Sequence, residues 1–156
     1  MRLAVGDVAP DFTLEDTTGR RVALRDFAGQ RVALYAYPAD LTPGCTTEAC
    51  EFNDELAAFA DLGVTVLGIS PDPVAKHQRF TARYGLRFAL LSDPERTVLA
   101  AYGAYGEKRL YGKTVVGVIR STFVIGPDGR LEHVWYGVRA GGHAARVRAA
   151  LEQSAT

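Results

Sequence analysis

Residues 31–50, RVALYAYPADLTPGCTTEAC, decide how this chain is read. Residues 31–37 are dense in apolar and aromatic side chains, as suits a buried strand. Pro38, Pro43 and Gly44 then interrupt the pattern. The prolines stiffen the backbone by fixing φ, and the glycine lets the chain come close to a ligand. Beyond them Ala49, Phe52, Leu56 and Phe59 recur at three- and four-residue steps, which predicts an amphipathic helix over Thr46–Ala60 stopped by Gly63. Cys45 therefore falls where a strand gives way to a loop and then a helix. The unpaired N–H groups and positive dipole end of that helix favour thiolate over thiol. Cys50 is the only other cysteine. The pattern points to thiol redox chemistry.

Outward from this stretch the chain alternates. Residues 11–15 and 20–24 flank Asp16–Gly19 and predict a β-hairpin. Residues 64–70 predict a buried strand, and Pro73 opens a helix with Val74, Phe80 and Tyr84 inward and Gly85 as terminator. Residues 88–92 form a short strand, and Ser92 or Asp93 before Pro94 opens a third helix to about Tyr102. A Gly- and Lys-containing loop of about ten residues follows. Residues 118–126 and 130–138 flank Pro127–Gly129 as a C-terminal hairpin, and a last helix fits 142–151. Hairpin, βαβαβα, hairpin and helix imply an α/β fold with a mixed central sheet and flanking helices, best satisfied by a thioredoxin-like arrangement with an added N-terminal hairpin.

The 156 residues suit one domain, 1–156, with a substantial core. Eighteen basic and eighteen acidic residues leave no net charge, which argues against nucleic acid or an anionic membrane as partner. No apolar run approaches a membrane span, and residues 1–12 lack a signal-peptide core, so a cytoplasmic protein is expected. In a reducing compartment two cysteines point to catalysis rather than a structural staple. His77, His133 and His143 do not cluster with them in sequence, so no metal is expected.

Thr42 stands three residues before Cys45, placed either to direct its hydroxyl at the sulfur's partner or to cap the helix. Arg120 sits in an apolar run, where strand alternation puts it on the face of Thr122 and Val124. It reads as a strand-end arginine reaching solvent, or as the partner of the Cys45 thiolate and of a polar oxygen substrate. On a continuous helix Cys45 and Cys50 differ by about 140° and their Cα atoms lie roughly 8–9 Å apart. A disulfide needs about 7 Å, so bonding them requires the first turns to unwind.

These residues resemble a peroxiredoxin of the bacterioferritin-comigratory (PrxQ) type, over nearly the whole chain. Pro38, Thr42 and Cys45 match the P-x-x-x-T-x-x-C signature, and residues 43–50, PGCTTEAC, match the subgroup's peroxidatic and resolving pair. Residues 68–80, 88–95, 111–113 and 117–129 resemble it in order and spacing. The resemblance implies a thiol peroxidase acting on hydrogen peroxide and alkyl hydroperoxides, an antioxidant role, and no cofactor. Cys45 would become a sulfenic acid. Thr42, Arg120 and the N–H groups of Gly44 and Cys45 would hold the peroxide, with Pro38 shielding the site. Cys50 would form an intramolecular disulfide, reduced by thioredoxin or a similar dithiol. It also implies a monomer. Glu48 matches a position that supports the arginine, or is a first-turn acid complementing the helix dipole. His77 reads as a surface or packing histidine, and Tyr37 as a buried strand aromatic. The rival reading is a thiol–disulfide oxidoreductase on the same frame, against which the four residues between the cysteines count.

Overall fold

The computed structural model describes residues 2–154. A seven-stranded sheet runs in the order β2-β1-β5-β4-β3-β8-β9. Its centre is parallel: β3 (Arg31–Ala36), β4 (Val64–Ser70) and β5 (Ala89–Ser92). The edges are antiparallel, from β1 (Thr13–Glu15) with β2 (Arg21–Ala23) on one side, and from β8 (Ser121–Ile125) with β9 (Leu131–Tyr136) on the other. This is the mixed sheet expected of a thioredoxin-like frame.

Period-two alternation sends opposite residues of β3 into two separate cores. Ala33 and Tyr35 join Val64, Val66, Leu90 and Val124 beneath helices α1 (Pro43–Asp54), α2 (Leu56–Asp61), α3 (Val74–Tyr84) and α5 (His143–Ser154). Val32, Leu34 and Ala36 join Leu67, Ile69, Phe123 and Ile125 on the other face, covered by Leu99 and Tyr102 around α4 (Thr97–Ala101). Both faces are dry, so the central strands read as continuous apolar runs rather than alternating ones. Tyr35 is wholly buried and stacks on Phe52 of α1, ring centroids 4.5 Å apart. Gly68, its neighbour on β4, makes room for that ring, since a Cβ there would lie 2.8 Å from Leu90 Cδ2 and 3.1 Å from Tyr35 Cζ.

Four local expectations need correction. The helix after Cys45 begins three residues earlier than its apolar period suggests, because Pro43 at the first turn has no N–H to lose. It also breaks at Glu55 (φ −93°, ψ 2°), so α1 and α2 are separate. The third helix starts only at Thr97: Asp93 Oδ2 reaches over the turn to accept the Leu99 N–H at 2.8 Å, and Arg96 takes a left-handed φ of 62°. The ten-residue loop is in fact a freestanding hairpin, β6 (Tyr105–Leu110) with β7 (Lys113–Val118), joined at Tyr111 and Gly112, both at positive φ. Consequently Arg120 lies not inside a strand but in the two-residue step between β7 and β8.

Candidate active site

Cys45 is the third residue of α1, at the carboxyl end of β3, and only 2% exposed. Pro43, Gly44 and Cys45 open the helix, so the Gly44 and Cys45 N–H groups have no intrahelical acceptor and lie beside the sulfur's own residue. Arg120 reaches in from the β7–β8 step, where its carbonyl accepts the Val138 N–H at 3.0 Å. Its Nη2 lies 3.4 Å from Cys45 Sγ and its Nη1 donates to Glu48 Oε1 at 2.5 Å. Gly44 permits this approach: a Cβ there would lie 3.3 Å from Arg120 Nη2. The arginine is therefore the sulfur's partner, and the alternative of a strand-end side chain reaching solvent does not hold.

Glu48 is completely buried, one helical turn beyond Cys45. Burial pushes its carboxyl up to about 7 even though Arg120 pulls the other way. Burial also opposes the charge on Arg120, but Glu48 and Cys45 outweigh it and hold the guanidinium above its ordinary value. A carboxylate that the guanidinium bridges to the sulfur fixes the fork of the arginine. Supporting Arg120, rather than complementing the helix dipole, is what the geometry gives Glu48.

Thr42 immediately precedes the helix with extended backbone, but its side chain does not cap it. The hydroxyl donates instead to the Ala39 carbonyl at 2.8 Å. A hydroxyl whose proton is held this way can only accept from a further partner, which suits the O–H of an incoming ligand. Leu41, between Ala39 and Thr42, has a φ of 66°, a costly conformation for a bulky residue that marks a tightly determined loop. Pro38 is half-buried at the start of that loop.

Both cysteines are unpaired, Cys45 buried and Cys50 half-buried, and α1 is helical through both. Burial and the nearby Asp54 raise the Cys50 thiol above its ordinary value. His77, expected at the surface or in packing, is wholly buried and hydrogen-bonded at both ring nitrogens. Lys108 escaped the sequence reading altogether. It comes from β6, donates Nζ to the Val118 carbonyl at 2.6 Å, and is close enough to feel both Arg120 and Cys45. Desolvation, then Arg120, lowers its pKa, while Cys45 raises it. The β-favouring run Thr114–Val116 was the one signal, and the Tyr-Gly turn before it lacks the usual Asn-Gly or Asp-Gly mark.

A buried cysteine at a helix start, with a guanidinium on its sulfur and a carboxylate behind the guanidinium, on a thioredoxin-like sheet, defines a thiol-dependent peroxidase. The AhpC/TSA family profile spans residues 5–134. The chain belongs to this family, within its peroxiredoxins of the Bcp/PrxQ type. It is 55% identical to a putative peroxiredoxin of Mycobacterium tuberculosis over 147 residues, 94% of each chain. Peroxiredoxin Bcp of Escherichia coli K12 is 45% identical over 141 residues, 90% of each. Among solved structures, peroxiredoxin Q of Xanthomonas campestris superposes with a TM-score of 0.87 at 41% identity, covering 93% of this chain and 92% of that one. A cysteine-to-serine mutant of Xylella fastidiosa PrxQ gives 0.93 at 36% identity, covering 100% and 99%. No helix among the described residues is long and apolar enough to cross a membrane.

Proposed function

We propose that this single-domain peroxidase reduces hydrogen peroxide and alkyl hydroperoxides through Cys45. The observation that carries the reading is the chain Cys45 Sγ, Arg120, Glu48 at the start of α1. The Cys45 thiolate attacks the terminal peroxide oxygen; the S–O bond forms as the O–O bond breaks. The electron pair leaves on the other oxygen, which takes a proton and departs as water or an alcohol. Cys45 is then a sulfenic acid. Charge moves from sulfur to the departing oxygen, and fixed donors that see both ends, Arg120 and the Gly44 and Cys45 N–H groups, stabilise the transition state most. Thr42 accepts the peroxide O–H, and Pro38 keeps water off the sulfur. An alkyl hydroperoxide reading is supported by a Xanthomonas campestris bacterioferritin comigratory protein studied for its alkyl peroxide reduction, 40% identical to this chain.

Cys50 then attacks the sulfenic sulfur, releasing water and forming a disulfide. Because α1 is helical through both residues, its first turns unwind for this step and rewind when thioredoxin or a similar dithiol reduces the bond. A monomer acting in the cytoplasm needs no second chain to supply a thiol. Trp135 is suited to report the cycle, since it contacts His143 edge-on at 5.9 Å and His143 in turn contacts Phe52 of α1 at 6.1 Å. The test is to mix reduced Cys50→Ser with hydrogen peroxide or cumene hydroperoxide and follow Trp135. One fast turnover with a trappable sulfenic acid is expected. A protein that exchanged disulfides with dithiols but showed no fast peroxide phase would instead be a thiol–disulfide oxidoreductase.

A further inference from the structure

Behind the loop that carries Thr42 lies a chain of polar side chains that the chemistry above does not use. Tyr37, Asp40 and His77 are each at most 1% exposed. Tyr37 donates its hydroxyl to Asp40 Oδ1 at 2.5 Å, Asp40 Oδ2 meets His77 Nδ1 at 2.6 Å, and His77 Nε2 meets the Leu91 carbonyl at 3.0 Å. The Asp40 N–H donates to Asp72 Oδ2 at 2.7 Å, and Asp72 Oδ1 accepts Lys76 Nζ at 3.1 Å. Asp40, Asp72 and His77 bring ligand-capable atoms within 4.8 Å of one another, yet each such atom is already engaged by a protein partner. The group is a hydrogen-bond anchor, not a metal cage.

Atom counting fixes its protons. A carbonyl only accepts, so His77 Nε2 carries hydrogen. The 2.6 Å contact between Nδ1 and Oδ2 then holds one further proton, whichever of the two atoms it sits on. The pair is electrically neutral as a unit, which is how a carboxyl group can sit so deep without a large penalty. Asp40 lies immediately before Leu41, whose left-handed φ of 66° turns the backbone toward Thr42 and Cys45. We infer that Tyr37, Asp40 and His77 are positioning residues for the peroxide site: their buried hydrogen-bond chain, tying the loop to α3 and β5, holds the strained turn at Leu41 and so sets where Thr42 and the first N–H groups of α1 meet the substrate.

This inference rests on the Cys45 reading but fails separately from it. Asp40→Asn preserves the chain, because the amide oxygen still accepts from Tyr37 and the amide N–H donates to Nδ1 of a neutral His77. His77→Phe removes it and strands a carboxyl oxygen. In a Cys50→Ser background, stopped-flow with hydrogen peroxide should show Asp40→Asn within about threefold of the parent. His77→Phe should be at least about tenfold slower, by the usual rate cost of misplacing catalytic groups. In the two-cysteine protein, His77→Phe should quicken disulfide formation once the sulfenic acid exists, because the loop opens more readily. Slower oxidation with faster resolution is a split that general loss of stability does not produce. The inference is overturned if His77→Phe oxidises at the parental rate, or if both steps slow together, or if Asp40→Asn is as slow as His77→Phe. A peroxide-inert parent would instead overturn the Cys45 reading. Should His77→Phe not fold, 15N-labelled histidine in the unmodified protein decides: a slowly exchanging Nε2–H at His77 supports the anchor, and an unprotonated Nε2 refutes it.

Discussion

Replacing Glu48 with Gln separates its charge from its shape. Glu48 is wholly buried, its Oε1 accepts from Arg120, and its Oε2 has no partner among the described residues. Burial raises its pKa from 4.5 to about 7 in the folded chain. An acid held higher in the folded state favours folding fully below about 4.5, and that contribution is lost as pH rises through about 7. At 1.36 kcal/mol per pH unit the whole effect is at most about 3 kcal/mol, and about 2 kcal/mol of it should fall between roughly pH 5 and pH 8. The profile of the unmodified protein hides this, because His143 runs the other way. Burial, Arg146 and Arg120 lower His143 from 6.5 to about 4, so its contribution is present above 6.5 and lost as pH falls toward 4. The comparison of unmodified protein with Glu48→Gln cancels His143, which both share. Urea unfolding of the reduced proteins across this range should show the variant gaining about 2 kcal/mol on the parent from low to high pH. Parallel profiles would mean that Glu48 does not titrate there, and the account of a carboxyl held up by burial against Arg120 would fall.

Thr42→Val and Arg120→Met should each slow Cys45 oxidation at least about tenfold, roughly 1.4 kcal/mol or more of transition-state stabilisation; unchanged stopped-flow rates would remove either residue from the site. Oxidation to the disulfide should abolish hydrogen-exchange protection of the amides in residues 46–50 while leaving β3 and β4 protected, whereas retained protection would mean the bond forms without unwinding. Thr122→Val deprives the His143 ring of its only hydrogen-bond partner among the described residues and should lower stability by about 1–2 kcal/mol in thermal or urea unfolding.

How legible a segment was depended on whether its constraint was local. β3, β4 and α3 were readable because apolar runs, Pro73 and Gly85 act within a few residues of themselves. The place of Cys45 at a helix start and the oddity of Arg120 were readable because a thiol after Pro43 and Gly44 and a charge among apolar neighbours are local anomalies. What was missed depends on contacts distant in sequence. The burial of His77 follows from Asp40 and Leu91, 37 and 14 residues away. The choice between the two readings of Glu48 requires its contact with Arg120, 72 residues on. The β6–β7 hairpin was hidden by its own turn, where Tyr111 adopts a conformation that sequence preferences discourage. The late start of α4 follows from one carboxylate reaching six residues forward.

Asn53, near the end of α1, donates to the Gly85 carbonyl at 3.1 Å and accepts the Arg87 N–H at 2.8 Å, while its own carbonyl takes Arg87 Nη2 at 3.2 Å. The helix is thus moored at its far end to the segment that leads into β5. On the proposed cycle, the unwinding that brings the two thiols together would run inward from the tip toward that mooring. Each turnover of that proposed cycle would dismantle and rebuild a short stretch of helix while the rest of the scaffold keeps its register.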